Sequence, residues 1–253
     1  MIISIVNQKG GVGKTTTAVN LAAALKKMNR KVLLCDFDPQ ANATSGFGVD
    51  KTAVSSTVYD VVINDLPAEA AVLHTDYGDL IPSGSALAGA GIELVGLEQR
   101  EFRLRDALHR IADQYDYIFI DCPPSLELLT LNGLVAADRL LIPVQCEYYA
   151  LEGLTDLIST LRTVKKYYSP ELSIEGLVLT MYDGRTNLSI QVAEEVRHHF
   201  PGKVFSTVIP RNVRVSEAPS HGMPVIDYDR TSKGASAYIL LAEEMERHRQ
   251  KRE

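Results

Sequence analysis

The sequence predicts an α/β protein, a single domain built on a mostly parallel twisted sheet with helices on both faces. Two observations carry this. Short apolar runs alternate along the chain with helix-like stretches, and these runs lack the polar alternation of a sheet open to water on one side, so helices must cover both faces. The 253 residues also show no internal repeat and no low-complexity linker, so residues 1–253 are expected to form one domain.

The elements follow in order. The first strand is Ile2-Ile3-Ser4-Ile5-Val6, and a Gly-rich stretch separates it from an Ala/Leu-rich helix expected over residues 15–28. The second strand is Lys31-Val32-Leu33-Leu34-Cys35, ending at Asp36; the next clear one is Tyr117-Ile118-Phe119-Ile120, ending at Asp121. Residues 139–144, 176–180 and 203–209 give three more. Further helices are expected over residues 102–114, 126–136, 150–168, 189–199 and 235–249. Residues 49–90 are the least periodic, and no element is assigned there.

Composition narrows the function classes. With 45% hydrophobic and 23% charged residues, the chain has the profile of an ordinary globular protein. No apolar run reaches the ~18 residues of a membrane span, and the N-terminal segment lacks the basic region and cleavage site of a signal peptide. A cytoplasmic protein is expected. Cys35, Cys122 and Cys146 are too scattered for a disulfide framework or a zinc knuckle. At a net charge of −6, any nucleic-acid binding must come from a local basic patch.

The chemistry starts at Asn7-Gln8-Lys9-Gly10-Gly11-Val12-Gly13-Lys14-Thr15-Thr16. Strand, Gly-rich turn and helix N-terminus in that order form a phosphate cradle. Gly10, Gly11 and Gly13 leave backbone N–H groups room to converge on phosphate oxygens. Lys14 would neutralise the β- and γ-phosphates, and the Thr15 hydroxyl would ligate Mg²⁺. Gln8 replaces the first glycine of the general pattern, and Lys9 is a second lysine inside the loop.

Two acidic motifs end strands. In Asp36-Phe37-Asp38-Pro39-Gln40 the carboxylates two apart point the same way in an extended segment. Asp38 is assigned to orienting the attacking water and Asp36 to a structural or metal role; the plainer reading is a capping Asp before Pro39. Asp121 of Asp121-Cys122-Pro123-Pro124-Ser125 sits where a P-loop NTPase keeps its outer Mg²⁺ carboxylate. Cys122 has no His near it in sequence and reads as packing. Without Asn-Lys-x-Asp nothing favours guanine, so adenine is the expected base.

The motifs together resemble the ParA/Soj chromosome-partitioning ATPases. The segment from Lys9 to Thr16 looks like the deviant Walker A motif, Asp36-Phe37-Asp38-Pro39-Gln40-Ala41-Asn42 like its companion, and the Asp121 motif like the Walker B. Ile209-Pro210-Arg211-Asn212-Val213-Arg214 and Ser216-Glu217-Ala218-Pro219-Ser220-His221-Gly222 extend the likeness, which runs from Met1 to about Ala242. Ala41 stands where the family has glycine. The resemblance implies a P-loop ATPase that uses ATP/ADP and Mg²⁺ and hydrolyses slowly without a partner. Lys9 would be the signature lysine reaching the partner protomer's nucleotide in an ATP-sandwich homodimer. Pro210 would pack on the adenine face and Asn212 would bind its edge. The dimer would bind double-stranded DNA of the nucleoid without sequence preference, and a ParB/Spo0J-type centromere-binding protein would stimulate hydrolysis and release it.

Candidate DNA contacts are Arg185, Arg211, Arg214, Arg230 and Lys233, with Arg162, Lys165 and Lys166 as further possibilities; each alone also reads as a solvated surface charge. The alternative is a MinD-like membrane-associated positioning ATPase. It needs a lipid-binding C-terminal helix, and the stripe Ala235, Tyr238, Ile239, Ala242, Met245 reads better as core-docking before a solvated tail. An iron–sulfur reductase would need better-placed cysteines, and a non-hydrolysing scaffold would not need Asp38.

Overall fold

The computed structural model describes residues 1–125 and 127–252. The strands are β1 (Ile2–Ile5), β2 (Val32–Asp36), β3 (Leu73–Thr75), β4 (Gly78–Ile81), β5 (Tyr117–Asp121), β6 (Arg139–Gln145) and β7 (Ser173–Thr180). They form one sheet in the order β3-β4-β2-β5-β1-β6-β7, parallel except for the antiparallel edge pair β3 and β4. The helices are α1 (Lys14–Lys27), α2 (Asn42–Gly46), α3 (Val58–Ile63), α4 (Leu87–Glu93), α5 (Arg103–His109), α6 (Leu128–Ala136), α7 (Ala150–Tyr167), α8 (Asn187–His199), α9 (Val213–Glu217), α10 (Val225–Tyr228) and α11 (Lys233–Gln250).

Strand pleating divides the core into two apolar clusters, one on each face. Ile3 and Ile5 of β1, Val32 and Leu34 of β2, and Tyr117 and Phe119 of β5 face α1 and α11. Leu33, Cys35, Ile118 and Ile120, from the alternate positions, pack with Val58, Leu104, Leu134, Leu154 and Val192 of α3 and α5 to α8. Helix α1 buries every residue from Thr17 to Leu25 beneath this sheet. Its last turn carries Lys26 and Lys27, which suit the negative end of the helix dipole, and Asn29 turns the chain away at φ 61°.

Three sequence expectations change. Residues 203–209 are not a continuous strand: the segment bridges the β7 edge at Val204, and Pro210, just after it, bridges Tyr182 beyond the end of β7. The reason is Glu244 of α11, whose buried carboxylate accepts the Ser206 amide at 2.6 Å and the Thr207 amide at 2.9 Å, removing those donors from any ladder. The helix expected over 102–114 ends at His109 and resumes as a 3₁₀ turn, Ala112–Gln114. The unassigned region 49–90 supplies α3, β3, β4 and the start of α4, so the sheet gains an edge that its short strands hid. Leu126, the first residue of the helix expected over 126–136, lies outside the described residues; α6 runs from Leu128.

Candidate functional site

The sheet order puts β1 between β5 and β6, so the loop after β1 emerges at the centre of the sheet's carboxyl edge, where α/β proteins collect ligands. Gly11 and Gly13 take φ 76° and 90°, a left-handed geometry that turns the backbone from β1 into α1. Gly10 lies under the next motif, with Pro124 Cβ 4.0 Å from where its own Cβ would stand. Val12 is buried, and its carbonyl accepts the Thr180 hydroxyl of β7 at 2.8 Å. Lys14 is buried as well, and its Nζ donates to the Lys9 carbonyl at 3.0 Å, across the loop. Burial pushes the Lys14 ammonium down from its ordinary pKa, against the pull of Asp121, Cys122 and Asp38. Thr15 and Thr16 follow on the first turn of α1.

Three carboxylates share this edge. Asp36 and Asp121 are cross-strand neighbours in the β2–β5 register. Both oxygens of Asp36 are engaged: Oδ1 accepts the Asp38 amide at 3.3 Å, and Oδ2 accepts the Thr44 amide and hydroxyl, each at 2.7 Å. Burial pushes Asp36 up to about 6 despite these bonds, and Asp38 adds to the rise. Asp38 Oδ1 accepts the Gln40 amide at 2.9 Å; among the described residues no hydrogen bond reaches Oδ2. Asp121 is fully buried, and neither oxygen has a hydrogen-bond partner of sound geometry. Burial, then Asp36, raise its pKa well above the carboxylate range, with the Thr15 hydroxyl and Lys14 opposing. A buried carboxylate left unpaired beside a hydroxyl fits an Mg²⁺ shell. Among the described residues no three His, Cys, Asp or Glu side chains form a metal cage.

Lys9 differs from Lys14. Its side chain stays 34% exposed and pairs with Glu147, just past β6, with its ammonium 5.8 Å from the centre of the Tyr149 ring. Asn7 shapes the turn beneath it: Oδ1 accepts the Lys9 amide at 3.0 Å, and Nδ2 donates to the Pro143 carbonyl at 2.8 Å. Gln8, at the missing glycine, reaches α7 through the Gly153 carbonyl and Asp156.

Pro210 and Asn212 approach from the other side. The amide of Tyr182, two residues past Thr180, donates to the Ile209 carbonyl, and the Arg211 amide returns to the Tyr182 carbonyl. This tie holds the segment beside β7, whose Thr180 touches the phosphate loop. Asn212 caps α9, its Oδ1 accepting the Val215 amide at 3.3 Å.

The basic candidates fall into groups. Arg185 pairs with Asp183, Arg214 with Glu217 and Asp229, and Arg230 with Asp227. Arg211 and Lys233 are exposed, and among the described residues neither makes an ion pair. Arg214, Arg230 and Lys233 surround the α9 to α11 corner; Arg162, Lys165 and Lys166 lie apart on α7, which packs on the opposite face. The C-terminal stripe is docked: Ala235, Tyr238, Ala242 and Met245 are buried against α1, while Ile239 points outward. Among the described residues no helix is long and apolar enough to cross a membrane.

Sequence reasoning missed Glu147, Thr44 and Ser83. Glu147 precedes an exposed aromatic pair, Tyr148 and Tyr149, and that acid–aromatic cluster after an apolar strand was the available signal. Thr44 and Ser83 gave none.

Comparison with known proteins agrees with the motifs. Residues 1–174 match the family described as AAA domain. The chain is 56% identical over 246 residues to the sporulation initiation inhibitor protein Soj of Bacillus subtilis, covering 96% of this chain and 97% of that one. It is 54% identical to the chromosome partitioning protein ParA of Myxococcus xanthus, covering 96% and 87%. Among solved structures, the cobyrinic acid a,c-diamide synthase of Mycobacterium smegmatis with bound ADP and magnesium superposes with a TM-score of 0.87 at 36% identity, covering 100% of this chain and 96% of that one. On its motifs, its sheet and this similarity along nearly its full length, the chain belongs to the ParA/Soj family of chromosome-partitioning ATPases.

Proposed function

We propose that this chain is a DNA-segregation switch in which two copies close around ATP, bind DNA without sequence preference, and let go when the nucleotide is hydrolysed. The observation that carries the reading is the contrast between the two loop lysines. Lys14 is buried under its own loop, whereas Lys9 is half-exposed and pairs with Glu147 outside the cradle, which supports a role for it toward a second protomer's phosphates. A second cation brought to a triphosphate stabilises charge as an arginine finger does.

The remaining roles belong to the same reading. Backbone amides from Gly10 to Thr16 hold the phosphates, with Val12 fixed from below by Thr180. Thr15 and Asp121 hold Mg²⁺, and Asp36 braces the loop that carries Asp38. The ion would supply positive charge against the phosphates of the nucleotide. Asp38 orients the attacking water through Oδ2. Pro210 and Asn212 take the adenine. Arg185, Arg211, Arg214, Arg230 and Lys233 supply a patch too weak in one copy against a net charge of −6 and sufficient in two. Hydrolysis is slow alone and Mg²⁺-dependent, and a ParB-type centromere-binding protein accelerates it. The protein then resides in the cytoplasm on the nucleoid.

The test is sedimentation of Lys9→Ala with ATP, ADP and no nucleotide. The variant is expected to bind ATP and remain a monomer where the native chain dimerises. A normal ATP-dependent dimer of Lys9→Ala overturns the reading.

A further inference from the structure

Asn20 lies on α1 one turn beyond Thr16, the last residue of the phosphate motif, and its side chain is buried. Its Nδ2 donates to the Thr16 carbonyl at 2.8 Å, and its Oδ1 accepts the Val225 amide at 2.6 Å. Val225 opens α10 behind Pro224, which has no N–H, so Asn20 takes the first free donor of that helix. Both ends of the amide are used, and hydrogen bonds are directional where apolar packing is not. One side chain therefore fixes α10 against the first turn of α1.

Helix α10 belongs to the corner that carries basic candidates. Arg214 lies on α9 before it, and Arg230 follows it. Asp227 of α10 accepts Lys27, at the far end of α1, at 2.8 Å, and pairs with Arg230 at 3.2 Å. The corner also meets the second nucleotide motif. Gly222, between α9 and α10, and Gly48, just past α2, take φ 62° and 75°. They touch backbone to backbone: a Cβ on Gly222 would stand 3.1 Å from the Gly48 Cα. Helix α2 in turn holds Asp36 through Thr44.

Between these contacts the corner stands off the nucleotide helices. A cavity of about 410 Å³ separates Thr15 and Thr16 of α1 and Ser45 of α2 from Pro219 and Met223 of the corner. Ala218, Val225 and Ile226 seat the corner in the core shared with α1 and α11. Asn20 is on the cavity wall, where the first turn of α1 reaches the corner.

We propose that Asn20 is a positioning residue for DNA binding: it ties the corner bearing Arg214 and Arg230 to the end of the phosphate loop, so that the placement of these arginines follows the nucleotide. This rests on the nucleotide-switched DNA reading given above. A phosphate on the first turn of α1 acts on the Thr16 peptide, and the Asn20 amide carries that to α10. Coupling of this kind is reciprocal, so DNA on the corner tightens ATP binding by the same factor.

The experiment uses the full chain and a fluorescent duplex, with DNA affinity read by anisotropy in ATP, in ADP and without nucleotide, and ATP affinity read with and without DNA. Asn20→Asp keeps the acceptor for Val225 and loses the donor to Thr16; Asn20→Ala loses both. Each should dimerise at the native ATP concentration. In each, the preference for DNA in ATP over ADP should fall by about tenfold, and the tightening of ATP by DNA should fall with it. If Asn20→Ala does not fold, Asn20→Asp, which leaves the Val225 amide paired, carries the test. An Asn20→Asp protein with the native ATP-over-ADP preference overturns the proposal. So does equal weakening of DNA binding in ATP and ADP, which makes Asn20 an anchor only, and so does a lost ATP dimer, which makes it a residue of the dimer. A native chain that binds DNA no better in ATP than in ADP overturns the parent reading and this one with it.

Discussion

Lys9 is clasped by Glu147: their side chains form an ion pair over the rim of the phosphate loop, with the Tyr149 ring beside the ammonium. A phosphate brought to Lys9 from a second protomer would have to draw the ammonium away from Glu147, so the clasp would oppose that move. Both side chains are 34% exposed, so the pair is worth no more than about 1 kcal/mol. Glu147→Gln should therefore lower the protein concentration for half-maximal ATP-dependent dimerisation by about two- to fivefold. Equilibrium sedimentation checks this; a midpoint moved to higher concentration would show that Glu147 works for the dimer.

Asp38 is expected to act on the water and not on nucleotide binding. Asp38→Asn should leave ATP affinity and the dimer intact and slow phosphate release by about 100-fold or more. Single-turnover phosphate release, with dimerisation followed in parallel, separates the two effects.

Glu244 links α11 to the segment that fails to become a strand. Its carboxylate accepts the Ser206 and Thr207 amides and the Thr207 hydroxyl, the last at 2.7 Å. Burial raises its pKa, but these bonds outweigh burial and hold it below the usual carboxylate value. A depressed folded pKa contributes stability that is complete above the unfolded value of about 4.3 and is lost as pH falls through the folded one. Glu244→Gln should cost about 2 kcal/mol in urea unfolding at neutral pH, and the gap from the native chain should narrow below about pH 4.

Ala41 takes φ 54°, a left-handed conformation that suits glycine better than alanine. A left-handed alanine costs about 1–2 kcal/mol, partly offset because glycine gives the unfolded chain more freedom. Ala41→Gly should raise stability by about 0.5–1 kcal/mol, measurable as a shift of the urea midpoint without change of slope.

DNA binding should follow the α9 corner. Arg214→Glu is expected to abolish DNA retention of the ATP dimer and spare its hydrolysis. Arg211→Ala removes one phosphate contact per copy, which should flatten the slope of log affinity against log salt by about 2 in a dimer. Filter binding across a salt series reads both, and an unchanged slope for Arg211→Ala removes that residue from the interface.

The nucleotide loop and the aspartates at strand ends were legible because each rests on local order: an apolar run, then a turn residue, then chemistry. The two-faced core was legible for the same reason, since strand alternation needs only neighbours. What escaped depends on partners far along the chain. Residues 203–209 have the composition of a strand, and Glu244, on α11 beyond α9 and α10, withholds the Ser206 and Thr207 amides. Strands β3 and β4 are three and four residues long, too short for periodicity to register. Glu147 is one acid among many until Lys9 is seen beside it.

The bracing of Asp36 forms a closed circuit. Asp36 accepts from Thr44, the Thr44 hydroxyl accepts the Ser83 amide at 3.0 Å, the Ser83 hydroxyl donates to the Asp38 carbonyl at 2.8 Å, and the Asp38 amide returns to Asp36. Any genetic screen for inactive proteins should therefore recover Ser83 and Thr44 alongside the loop lysines. Such alleles would mimic active-site lesions from positions that belong to the wall behind the site, and they should share one phenotype, because a ring opened at any link is the same open ring.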